Sequence, residues 1–216
     1  MPEADLAAAV DDVSSIDTDE FQSAVDADAE VIKSELREGT FDNSQAIVGL
    51  EYEFYAVENP ADDPWSTGAE DGGALKRVPR RLLELIGFEK ELGLHNAEMT
   101  VSPQPLNSYG LAAQEAEVNA RLSAAQERTR AEGMQLVSDG LWTIPPEGET
   151  AREYLTDSVE DQGVRIASNM SDSVRYHAMA NTDAADDVGL RIDAPHVTLE
   201  GDTVMPESLI TSIQPH

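Results

Sequence analysis

The chain has 216 residues, 40% of them hydrophobic, enough to bury a substantial core as one domain or one domain with an extension. It carries 43 Asp and Glu against 14 Lys and Arg, a net charge of −29 spread along its whole length. That balance argues against a phosphate-tracking surface and a nucleic-acid partner. The absence of cysteine excludes disulfides, thiolate metal sites and a cysteine nucleophile.

A dispersed acidic surface suits a protein that must stay hydrated in concentrated salt, where a Debye length of about 3 Å screens its self-repulsion. The composition therefore predicts a halophilic protein that loosens when salt is withdrawn. No apolar run approaches the roughly eighteen residues that span a bilayer. Met1-Pro2-Glu3-Ala4-Asp5 has no basic stretch ahead of an apolar one. Both point to the cytoplasm and away from a membrane.

Residues 1–40 read as an acidic extension containing one helix, with Phe21, Val25, Ala29, Ile32 and Leu36 on a stripe and Gly39 past its end. The stripe is expected to pack against the main body. Ile47 to Val57 alternates with period two: Leu50, Tyr52, Phe54 and Ala56 face one way, while Gly49, Glu51, Glu53, Tyr55 and Val57 face the other. The loop from Glu58 to Ala74 is rich in Pro, Gly, Asp and Ser and has no periodicity. Lys76-Arg77-Val78-Pro79-Arg80-Arg81 leads into a short helix whose apolar side is Leu82, Leu83, Leu85 and Ile86, stopped by Gly87. This cationic cluster reads as a solvated helix start, or else as a holder for a nucleotide phosphate.

Leu94 to Val101 alternates again, with Asn96, Glu98 and Thr100 on one face and His95, Ala97, Met99 and Val101 on the other, and ends at Pro103 and Pro105. A long helix is expected from about Leu111 to Glu132, with Leu111, Val118, Leu122 and Ala125 buried and Gly133 as its stop. Met134 to Val137 reads as a strand. Thr150-Ala151-Arg152-Glu153 is a capping box opening a helix towards Glu160, and a short helix follows from Ser171 to Ala180. A hairpin is expected between 196–199 and 203–205 around Gly201-Asp202, and a last strand from Leu209 to His216. Helices interspersed with strands and a terminal hairpin indicate an α+β protein with a mainly antiparallel sheet.

The chemistry lies in the carboxylates on strands. Glu51 and Glu53 are about 7 Å apart at Cα and repel by roughly 2 kcal/mol at an effective dielectric near 20. No Lys or Arg occurs between Glu38 and Leu75 to offset them. The segment admits two readings: a divalent ion bound between the pair, or two side chains reaching solvent from an edge strand. Glu98 sits mid-strand with Glu91 ahead of it, and Ser212, Gln214 and His216 share one face of the last strand. Acidic side chains and an imidazole aimed into one concavity would suit Mg²⁺ or Mn²⁺. Neither a phosphate-binding glycine loop nor a serine nucleophile elbow is present.

Gly49-Leu50-Glu51-Tyr52-Glu53-Phe54 resembles the opening strand of the glutamate–cysteine ligase-like carboxylate–amine ligases, which use a glutamine-synthetase-like fold. Glu91 through Glu98, leading into Thr100 and Pro103, is similar to their next acidic segment. Ser171 to Met179, containing Arg175-Tyr176, resembles their substrate segment, and Ser212-Ile213-Gln214-Pro215-His216 their metal-histidine strand. The resemblance implies that 41–216 is the N-terminal part of such a catalytic domain. It implies metal ligands at Glu51, Glu53, Glu91, Glu98 and His216, and substrate or nucleotide contacts at Arg175 and Tyr176. Its implied cofactors are ATP and Mg²⁺ or Mn²⁺. The implied reaction phosphorylates the γ-carboxylate of glutamate, and an amine, that of cysteine, then attacks the acyl phosphate. Because the family's chains continue past the histidine strand, the expectation is a fragment of a longer enzyme or a shortened relative that binds metal without catalysis. A different amine acceptor is a further alternative.

Overall fold

A computed structural model describes residues 5–15, 17–58, 73–181, 190–194 and 197–216. In chain order the elements are α1 (Leu6–Ser14), α2 (Thr18–Glu38), β1 (Ile47–Glu58), α3 (Arg80–Ile86), β2 (Glu89–Lys90), β3 (Asn96–Pro105), α4 (Ser108–Ala131) and β4 (Met134–Val137). There follow α5 (Ala151–Thr156), β5 (Ser158–Asp161), β6 (Val164–Ala167), α6 (Val174–Met179), β7 (Leu190–Ala194), β8 (Val197–Gly201), a 3-10 turn at Met205–Leu209 and β9 (Ile213–Pro215). The fold is α+β, and every described strand pairing is antiparallel.

β1 is a central strand. β3 pairs with one side of it from Ile47 to Tyr55, while β9 and β4 share its other side, β9 against Leu50–Tyr52 and β4 against Tyr55–Glu58. β2 extends the sheet beyond β3, giving the order β2-β3-β1-β4. The edge-strand alternative for Glu51 and Glu53 is thereby removed.

The period-two pattern of β1 divides two cores. Phe54 and Ala56 join Ala97, Met99 and Val101 of β3 beneath Leu82 and Leu83 of α3 and Ala125 of α4. On the opposite face Tyr55 and Val57 are covered by Leu75, Tyr154, Leu155, Met170 and Met205. Each aliphatic or aromatic side chain so buried contributes about 1.5–3 kcal/mol. The second cover stops short: Tyr55 is 0% exposed, yet the side chain of Glu51, further back on the same face, is 28% exposed. That half of the face is the acidic one.

Helix boundaries follow local chemistry. Asn107 caps α4 by accepting from the N–H groups of Tyr109 and Gly110, and the Thr150–Glu153 capping box forms as expected. Gly87 closes α3 at φ 68°. The cationic run is engaged by the protein itself. Arg77 donates both guanidinium nitrogens to Glu149 at 2.8 and 2.9 Å and also bonds Asn169, while Arg81 reaches Glu132. No helix among the described residues is long and apolar enough to cross a membrane.

Several expectations need correcting. The apolar stripe of α2 does not pack on the body: Phe21 is 56% and Leu36 60% exposed, and the helix buries no residue. Contact is made by the unexpected α1, whose Ala7 and Val10 pack with Val164 and Ala178. β3 runs on through Pro103 and Pro105, because residues 102–105 lie against Ala46–Val48 at the end of the sheet where proline costs few ladder bonds. In α4 Ala125 is buried and Val118 and Leu122 pack on the core as expected, but Leu111 is exposed, and Gly110, Gln114 and Thr129 are also buried. The helix from Thr150 ends at Thr156, and residues up to 167 form the β5–β6 hairpin, turned by Gln162 and Gly163 at φ 53° and 84°. β8 pairs with the preceding β7 and not with 203–205, which leads into the 3-10 turn. Loop residues 59–72 and position 196 lie outside the described residues. His95 is not on the helix-covered face with Ala97; it precedes the strand and stacks with Tyr55.

Candidate metal centre

Antiparallel register puts directly opposed residues on the same face of a sheet. Glu53 faces Glu98 across β1 and β3, and Glu98 faces Glu89 across β3 and β2. One step along, Glu51 faces Thr100 on one side and Gln214 on the other. Glu51, Glu53, Glu89 and Glu98 thus share the open half of the sheet face. Like charges directly opposed destabilise a sheet, so this row is costly unless something offsets it.

The structure offers partial offsets. Glu53 accepts from the Ser212 N–H at 2.8 Å and from Gln214 Nε2 at 2.5 Å, which ties β1 to β9. His216 Nε2 lies 3.0 Å from Glu51. Glu91 accepts from the Tyr176 hydroxyl, and Tyr176 in turn accepts from Arg175 at 2.7 Å, whose guanidinium also covers the Tyr176 ring. Burial and the bond to Glu91 push the Tyr176 hydroxyl up to about 12. Glu98 forms no salt bridge among the described residues. Burial, then a hydrogen bond to Glu91 and the charges of Glu91, Glu51 and Glu89, push its carboxyl up to about 7.

All five expected ligands and both expected contact residues therefore fall in one neighbourhood, in smaller groups: Glu51 with His216, Glu53 with Glu98 and β9, Glu91 with Glu98, Tyr176 and Arg175. Among the described residues no three His, Asp or Glu side chains form a ready-made ion cage; each carboxylate is turned towards the partners just named. The donor chemistry nonetheless fits a hard divalent cation, being oxygen-rich and half-buried, with the Glu98 carboxyl pushed up by burial and its acidic neighbours. Sequence reasoning missed Glu89, for which its period-two spacing from Glu91 is the available signal. It placed Ser212 and Gln214 on the face of His216 but not their bonds to Glu53, which depend on β9 returning to β1, a non-local pairing.

A model of the glutamate-cysteine ligase family 2 matches residues 47–216, from the first residue of β1 to His216. The chain belongs to that family. No curated protein and no solved structure gives a match. In this family member, a glutamate–cysteine ligase-like chain of the carboxylate–amine ligase kind, the carboxylate row, the Arg175–Tyr176 pair and the β9 histidine all lie within the matched residues. Helices α1 and α2 precede them.

Proposed function

We propose that this protein is an ATP-dependent glutamate–cysteine ligase of a salt-rich cytoplasm, and that the open half of the sheet face holds its divalent ions. The observation that carries the reading is the row Glu53–Glu98–Glu89 with Glu51 and Glu91 beside it, carboxylates gathered on one half of the sheet face. Glu51, Glu53, Glu91, Glu98 and His216 would hold Mg²⁺ or Mn²⁺, which when bound supplies the positive charge that orients and neutralises nucleotide phosphates. Gln214 and the Ser212 N–H fix the Glu53 carboxylate, and Tyr176 fixes Glu91. Arg175, exposed beside this row, is suited to an anionic group of glutamate or nucleotide.

The γ-carboxylate of glutamate would attack the γ-phosphorus of ATP, forming an acyl phosphate and releasing ADP. The amine of cysteine would then attack the acyl carbon, lose a proton and expel phosphate, giving γ-glutamylcysteine. With so little covalent work left to side chains, positioning and charge carry the catalysis.

The test is phosphate release by the intact protein in molar KCl. Release is expected only with ATP, Mg²⁺ or Mn²⁺, glutamate and an amine acceptor together; equal release without the amino acids overturns the ligase reading. Glu53→Gln should lower turnover about 100-fold or more while leaving the circular dichroism and the unfolding midpoint in salt unchanged.

A further inference from the structure

A cavity of about 320 Å³ opens at the β2 end of the sheet, with Val78, Leu83 and Leu94 as apolar lining and Arg80, Lys90 and Asp172 as its charged residues. Lys90 pairs with Ala97, so its side chain leaves the sheet on the helix-covered face, opposite to Glu89 and Glu98. None of the residues assigned above to metal or substrate lines this cavity.

Its charges are balanced and local. Asp172 accepts from Lys90 and, at 3.4 Å, from Arg80. Arg80 also reaches Glu84, which is not part of the lining. A hydrogen bond from the Lys90 ammonium outweighs burial and, with lesser help from the charges of Lys90 and Arg80, holds the Asp172 carboxyl below its ordinary range. Ser171, next in the lining, has a buried hydroxyl with no hydrogen-bond partner among the described residues.

We propose that this cavity binds a free α-amino acid with a small apolar side chain. The carboxylate lies between Arg80 and Lys90, the ammonium on Asp172, and the side chain against Val78, Leu83 and Leu94. The ligand class follows from the pattern: a simple anion meets Asp172, a simple cation meets Arg80 and Lys90, and a zwitterion satisfies all three. The volume is at the small end of ligand pockets, too small for a nucleotide. The inference is independent of the ligase reading.

Thermal unfolding of the intact protein in molar KCl tests it, with L-valine, isovalerate and L-valinamide as probes. Valine is expected to raise Tm saturably by about 3 °C, and the two half-zwitterions are not. Asp172→Asn should abolish the valine response, and Glu98→Gln, on the other sheet face, should retain it. Asp172 is exposed, and Lys90→Gln gives the same comparison should Asp172→Asn not fold. The proposal is overturned by no shift with valine, by equal shifts with all three probes, or by a response kept in Asp172→Asn and Lys90→Gln. It is also overturned if the response is lost in Glu98→Gln, which would put the amino acid at the carboxylate row.

Discussion

His95 carries its proton on Nε2, because the partner there is the Ser208 carbonyl, which can only accept; Nδ1 then accepts from the Tyr154 hydroxyl. Both bonds are 2.8 Å, and burial drives the imidazole down to about 4 from its ordinary 6.5. As pH falls, the unfolded chain takes up this proton first. The stabilisation is therefore complete above pH 6.5 and drains away between 6.5 and 4, amounting to about 3 kcal/mol. Denaturant midpoints in molar KCl at pH 7 and pH 4.5 should differ by less in His95→Gln than in the parent; an identical difference would show His95 to be unimportant. The same scale shows what residues can announce. Glu51 and Glu53 were legible because an apolar period-two strand makes two carboxylates conspicuous. His95 was assigned by the same period to the wrong layer, because the strand starts one residue later than its alternation.

At the scale of elements, each helix's existence could be read more surely than its neighbours. α2 has a stripe, caps and a glycine stop, all local features, yet what covers a stripe is a tertiary fact. Because its stripe is exposed, Phe21→Ser and Leu36→Ser should each change stability by less than about 0.5 kcal/mol. Leu82→Ala, beneath the sheet, should cost about 2–5 kcal/mol. Gly110 is a sharper case: a Cβ there would lie 1.9 Å from the Pro105 carbonyl oxygen. Gly110→Ala must therefore lift the first turn of α4 off β3, lowering stability by about 1–3 kcal/mol. Guanidinium titrations of these four variants in constant salt check the ranking. The Gln162-Gly163 turn of β5–β6 was also readable in principle, but a capping box just upstream invites extension of the helix across it.

The whole molecule is governed by its charge. With 43 acidic against 14 basic residues, at least 29 carboxylates have no basic side chain to themselves, and most described cations are already paired, as Arg77 is with Glu149 and Arg165 with Asp202. Lowering KCl from molar to about 10 mM lengthens the Debye length from about 3 to 30 Å. The expected outcome is a lower thermal midpoint and a larger radius by small-angle scattering in dilute buffer; an unchanged radius and midpoint would contradict it. The α+β antiparallel class followed from the order of local patterns. The strand order β2-β3-β1-β4, with β9 returning to β1, did not, because partners far apart in the chain, such as Glu51 and Gln214, leave no local trace.

The partition of β1, sealed at Tyr55 and Val57 but open at Glu51 and Glu53, has a dynamic corollary. The carboxylates of β1 and β3 are mounted on backbone laddered from both sides, so their amides should open only with global unfolding. β9 is three residues long and has β1 as its one strand partner among the described residues. Amide hydrogen exchange should therefore be slowest at Tyr52 and Phe54 and much faster at Ile213 and Gln214. The anionic floor is thus held from both sides, while the β9 rim beside it is the part that can shift alone.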